Sequence, residues 1–296
     1  MLPHHGGIES SAVWLTLSIA LTALIYLRGW LHLRSTSAKV VSAWRAISFL
    51  LGLLLIWAAV ASPIAALDHE LLTVHMLQHL LLMTLAPPLI WLGAPFMAFL
   101  HGLPRQFVHT VVRPLLHSVP VQTVGGTLTQ PALCWFAAAA ALVGWHIPAI
   151  FALGLQSEGW HLAEDASFLA TGLLFWWPVI QPWPSTSRWP ELSLILYLFL
   201  ATLPCDILSG FLVFCDRVVY AVYFTSPRLF GISALEDQQC AGALMWTFVT
   251  VVYLVAGAVL TMRLLSRQSS REDELAESEL RGSQVTQKVL QSLEAL

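Results

Sequence analysis

Residues 71–92 read LLTVHMLQHLLLMTLAPPLIWL. The run contains no Asp, Glu, Lys or Arg, and it is long enough to cross the roughly 30 Å hydrocarbon core of a bilayer, which takes about 20 mostly apolar residues. Because lipid offers the backbone no hydrogen-bond partners, such a run must be helical. Similar runs recur on both sides of it, and the spans are placed at Ala12 to Leu31, Ala46 to Ile64, Leu71 to Leu92, Pro131 to Leu153, Leu162 to Ile180, Leu192 to Phe214 and Ala241 to Leu264. The whole chain is 57% hydrophobic and 10% charged, against about a quarter charged in soluble domains. The expected fold is therefore all-α: a polytopic membrane bundle of about seven transmembrane helices over residues 1–265, then a charged tail over 266–296. The chain is not expected to be a soluble enzyme, nor to bind nucleic acid. No basic leader or small-residue cleavage site precedes the first span, so that span is read as retained.

Arginine and lysine set the orientation, since short loops rich in them stay cytoplasmic. Arg28, Arg34, Lys39, Arg45, Arg105, Arg113, Arg188, Arg263 and Arg267 fall on one side of a seven-span path, and Arg217 and Arg228 on the other. The N-terminus is accordingly expected outside and the C-terminus in the cytoplasm, with the chain a multi-pass protein of a bacterial inner membrane. Between the third and fourth spans, Gly93 to Gln130 is too polar and proline-broken to cross, and is expected as one or two amphipathic helices at the cytoplasmic interface. Tryptophans near span ends (Trp91, Trp160, Trp176, Trp177, Trp183, Trp189) are read as headgroup anchors. The tail, with Arg271, Glu272, Asp273, Glu274, Glu277, Glu279 and Arg281, reads as solvated and partly helical or disordered.

Ionisable groups within spans are costly and are functional candidates by default. In the third span His75 and His79 are one turn apart and so share a helix face. His75, His79 and Met83, at i, i+4 and i+8, are read as one slowly rotating stripe; two imidazoles one turn apart can ligate one metal, and imidazole with thioether suits copper, particularly Cu(I). Following the path places His146 at the outer end of the fourth span and His161 at the outer start of the fifth, so four histidines converge on the outer face. Metal ligands are thus expected at His75, His79, His146 and His161. His69, Met83, Asp165, Cys205, Asp237 and Met245 are further ligands or groups that orient them. The bland reading, an interfacial histidine bonded to water or a carbonyl, is kept for His4, His5, His32, His101, His109 and His117. Of the cysteines, Cys134, Cys205, Cys215 and Cys240, none forms a C-x-x-C; a Cys215–Cys240 disulfide and inert thiols both stay open. Pro87–Pro88 and Pro204 are expected kinks. P-loop, nucleophile-elbow, zinc-protease and haem-attachment signatures are missing from the sequence, and no internal repeat is evident.

The stretch HMLQHLLLMTLAPPLIWLGAP, His75 to Pro95, resembles the signature of the multi-spanning CtaG family of cytochrome c oxidase assembly factors. WHIPAIF from Trp145 to Phe151, the His161 to Pro184 segment ending in WWPVIQPWP, and Gly231 to Trp246 with Asp237-Gln238 and Met245-Trp246 are similar to its later blocks, in order. The resemblance implies a seven-helix bundle that supports copper delivery to, or insertion into, a haem-copper oxidase, with weight on His75, His79, His146, His161 and Asp237. The implied partners are oxidase subunits, other copper chaperones and membrane lipid, and the implied role is that of a chaperone rather than an enzyme. A membrane haem-binding redox protein and a copper or proton transporter are the rival readings.

Overall fold

The computed structural model describes residues 5–36, 42–183, 189–227 and 229–294; His4, Lys39, Arg188 and Arg228, on which the sequence reading draws, lie outside them. The described residues are helical, without a strand among them. The main helices are α1 His5–Thr36, α2 Ala43–Val60 and α3 Leu72–Leu80, which runs through a π turn, Leu81–Leu85, into α4 Ala86–Leu92. Short helices follow: α5 Pro95–Gly102, α6 Arg105–Phe107, α7 Arg113–His117 and α8 Val119–Leu128. The second half comprises α9 Pro131–Trp145, α10 Pro148–Gln156, α11 Glu158–Ile180, α12 Glu191–Phe214 and α13 Ala234–Glu294.

Among the described residues, five segments are long and apolar enough to cross a membrane: those at α1, α2, α3 to α4, α12 and the first part of α13. A sixth appears if α8 and α9, bent by 65°, are taken as one crossing. The helix α11 is long enough, but Glu158, Glu164 and Asp165 crowd its start. A belt of large apolar side chains faces outward, among them Trp14, Ile47, Phe136, Phe199, Ile207 and Leu254, each more than 60% exposed. A surface of that extent is what lipid covers.

The third segment is the hub: 61% of its central window is buried, against 11–28% for the other four. Its N-terminus is held by α13, where the Asp237 carboxylate accepts from the backbone N–H of Leu72 (2.7 Å) and Thr73 (3.1 Å) and from the Thr73 hydroxyl (2.6 Å). That is the capping a helix start requires, supplied from another helix. Its far end is held by Tyr26, whose hydroxyl donates to Gly93 O at 2.8 Å. At Gly29 a Cβ would run into the Ala98 carbonyl, so α1 and α5 cross with their backbones touching.

Several features differ from the sequence expectations or close an alternative left open there. The fourth span does not run unbroken to Leu153: α9 stops at Trp145, because Pro148 forces Ile147 into an extended conformation (φ −66°, ψ 124°). The interfacial segment is three helical stretches rather than one or two: α5, α6 running through a π turn at Val108–Val112 into α7, and α8; α5, α7 and α8 each carry a proline in the first turn, and α5 packs on α1. Of the supposed anchors, Trp160 and Trp183 are exposed, whereas Trp176 is core and Trp91 donates from its indole to Leu173 O at 2.8 Å. The four cysteines are free thiols, so the disulfide left open for Cys215 and Cys240 is not formed. The charged tail continues α13 without a break, and the change at Ser266 is one of composition; Arg267 pairs with Glu191 of α12.

Candidate metal centre

The sequence HMLQH places His75 and His79 on one face of α3, and the fold turns that face toward α11. There Glu164 receives both imidazoles: His75 Nε2 and His79 Nε2 each lie 3.5 Å from Glu164 Oε1. All three residues are buried, His75 fully. The separations are too long for hydrogen bonds, and both nitrogens of each ring and both Glu164 oxygens have no hydrogen-bond partner. Donors around a tetrahedral ion with bonds of ~2.0–2.1 Å stand about 3.3 Å apart, so the spacing fits one cation shared by the three. The three ligand atoms lie within 4.8 Å of one another.

Two glycines make the arrangement possible. A Cβ at Gly154 of α10 would sit 2.6 Å from Glu164 Oε2, so the carboxylate occupies space that only glycine leaves. A Cβ at Gly172 of α11 would sit 2.6 Å from Met83 O in the π turn, so α11 lies directly on that turn, about two helical turns below Glu164. Aromatic rings enclose the imidazoles: Phe168 stacks on His79 (centroids 4.1 Å) and Phe151 meets His75 edge-on (4.9 Å). The break after α9 is what frees α10 to bring Phe151 there.

The remaining candidates separate into two groups. His161 belongs to an outer cluster with Asp68 and His69: its Nε2 is 3.4 Å from Asp68 Oδ2, and His69 Nε2 is 3.7 Å from Asp68 Oδ1. His69 is mostly exposed, His161 partly so, and His161 stacks on His75 (5.7 Å, 15°), giving a graded path from surface to buried site. Asp165 lies 4.0 Å from His79 Nε2. The other group lines a cavity of about 40 Å³ below His79: His146, Met76, Met83, Cys205 and Met245. Met83 lies within the π turn that follows His79 and borders the same cavity as His79. Asp237 is engaged at the start of α3 rather than with an imidazole. Tyr220, in the loop before α13, donates to His146 O at 3.1 Å; burial, with Glu164 nearby, pushes its phenol above the ordinary value, so it remains a donor.

Glu164 is the ligand candidate that sequence reasoning passed over in favour of Asp165. The cost of a carboxylate within an apolar helix applied to it as much as to the histidines. Met76 was missed because it lies off the histidine stripe.

Fold and site together define a helical bundle with several membrane-length helices and a buried His–His–Glu constellation near one end. The family model described as cytochrome c oxidase caa3 assembly factor (Caa3_CtaG) matches residues 24–267, and the chain belongs to that family. An uncharacterised protein of Mycobacterium bovis is 28% identical over 249 residues, covering 79% of this chain and 36% of that protein. An uncharacterised protein of Mycobacterium leprae is 24% identical over 282 residues, covering 88% and 41% respectively. The chain thus spans well under half the length of these curated relatives. No solved structure matches it.

Proposed function

We propose that the chain is a copper-holding assembly factor for a haem-copper oxidase, binding the ion through His75, His79 and Glu164. The observation that carries this is the pair of buried imidazoles, each with Nε2 3.5 Å from the same carboxylate oxygen, with no hydrogen-bond partner for any of the three groups. Buried polar groups in such a state are costly, and a cation would satisfy them at once. Copper reaches the site through Asp68, His69 and His161 and leaves to an oxidase subunit during assembly; other copper chaperones are its suppliers. The protein is then a carrier without a reaction of its own.

The reading includes seven crossings of a bacterial inner membrane, N-terminus outside and C-terminus cytoplasmic, with α9 and α11 added to the five apolar spans. In support, the starts of α3, α11 and α13 and the end of α9 meet at one end of the bundle, as alternating crossings require. The transporter reading lacks a corresponding feature: among the described residues the buried carboxylates and imidazoles, Asp68, His75, His79, His146, Glu164, Asp165 and Asp237, gather toward that end. The haem reading, which takes axial histidines from different helices, lacks such a pair in His75 and His161: the two rings stack with centroids 5.7 Å and planes 15° apart, and His161 Nε2 faces Asp68, so no macrocycle lies between them. Metal analysis of purified protein, wild type against His75→Ala with His79→Ala, tests the proposal. Copper is expected in the first and not in the second; equal content in both contradicts it.

A further inference from the structure

We propose that the cavity below His79 is a second cation station, selective for a soft monovalent ion of the Cu(I) or Ag(I) type. The sulfur atoms of Met76, Met83, Met245 and Cys205 belong to side chains that line it, with His79 and His146 completing the wall. At about 40 Å³ it has room for an ion or a small solvent molecule.

The second observation concerns His146. Its Nδ1 lies 2.7 Å from the Leu142 carbonyl, which can only accept, so Nδ1 carries the proton and Nε2 presents a lone pair. That lone pair faces the thioether sulfur of Met76 at 3.2 Å. Sulfur is itself an acceptor, so no proton stands between the two in the neutral ring. A cation bound by both would turn this opposition of lone pairs into ligation. Thioether and imidazole donors are neutral and soft, and no carboxylate lines the cavity; that set favours a soft ion of single charge, which costs less to bury than a doubly charged one.

The site above is of the opposite character, with Glu164 supplying negative charge. His79 belongs to both, being 3.5 Å from Glu164 Oε1 on one side and part of the cavity wall on the other. It is the residue through which an ion would pass from the first station to the second. The inference rests on the proposed function for the ion's entry, but the cavity's donors stand independently of it.

The test uses the full chain in detergent under anaerobic conditions, loaded with Cu(I) and, separately, Ag(I), and read by X-ray absorption with bound-metal stoichiometry. Wild type is expected to bind two Cu(I) ions, with sulfur as well as nitrogen in the metal's shell. Met76→Leu, Met83→Leu, Met245→Leu and Cys205→Ser together, which roughly preserve volume, are expected to remove the sulfur shell and one equivalent while the nitrogen shell persists, showing that the variant is folded. Ag(I) affinity should fall at least about tenfold in the same variant. A sulfur shell that survives the combined substitution of all four residues, or a wild-type spectrum without sulfur, overturns the proposal. Sulfur without loss of an equivalent on His75→Ala supports the second station while overturning the His–His–Glu site.

Discussion

The two faces of α3 present different chemistry within one helical turn. Toward α11, His75 and His79 meet a carboxylate among unpartnered polar atoms; toward α9, α12 and α13, Met76 and His146 border a cavity rich in sulfur and free of carboxylates. The contrast teaches that charge and softness can be sorted by which face of a single helix a residue occupies, with His79 at the boundary. A site built this way grades from hard donors near the surface to soft donors within, a direction that suits a copper ion moving inward.

The largest effect should follow from removing the hard side altogether. His75→Ala with His79→Ala is expected to abolish copper retention and, in cells, to leave the oxidase without its copper; oxidase copper content and activity in isolated membranes report both. Glu164→Gln keeps the shape and removes the charge, and should weaken copper binding at least about tenfold, or ~1.4 kcal/mol, in a competition titration. If Glu164→Gln binds as tightly as wild type, the carboxylate is not a ligand and the contrast between the two faces loses its basis.

Smaller effects come from residues that set the spacing. Gly172→Ala places a methyl against the Met83 backbone, and since backbone cannot swing aside, a stability loss of about 1–3 kcal/mol is expected, seen as a lower melting temperature in detergent. Gly154→Ala meets only the Glu164 carboxylate, so it should lower copper affinity with less loss of stability than Gly172→Ala. Asp237→Asn keeps one acceptor oxygen for the start of α3 but sets an N–H donor against the other backbone N–H, and a loss of about 1–3 kcal/mol is expected, with copper binding nearly unchanged. Strong copper loss in Asp237→Asn would instead connect the cap to the site.

Much of this was legible in the sequence. Apolar runs predicted the membrane-length helices, since lipid dictates span length directly, and the spacing of His75 and His79 put both rings on one face. What the sequence concealed depends on departures from regular helix. The π turn at Leu81–Leu85 interrupts the regular repeat that would carry the stripe on to Met83, although nothing in LLMTL distinguishes it from an α-helix before Pro87 comes into view. The stop at Trp145 turns one expected span into two helices, and Pro148 was a visible but unused signal for it. Glu164 was hidden by its neighbour: with Glu164 and Asp165 adjacent, only the rotation of α11, fixed by the contact at Gly172, decides which carboxylate faces the histidines.

The central claim is that a metal sits among His75, His79 and Glu164, and anomalous scattering at the copper edge from the copper-loaded protein tests it most directly. The expected result is a peak ~2.0–2.1 Å from Nε2 of His75, Nε2 of His79 and an oxygen of Glu164. A copper-loaded structure with no peak within bonding distance of those three atoms would contradict it.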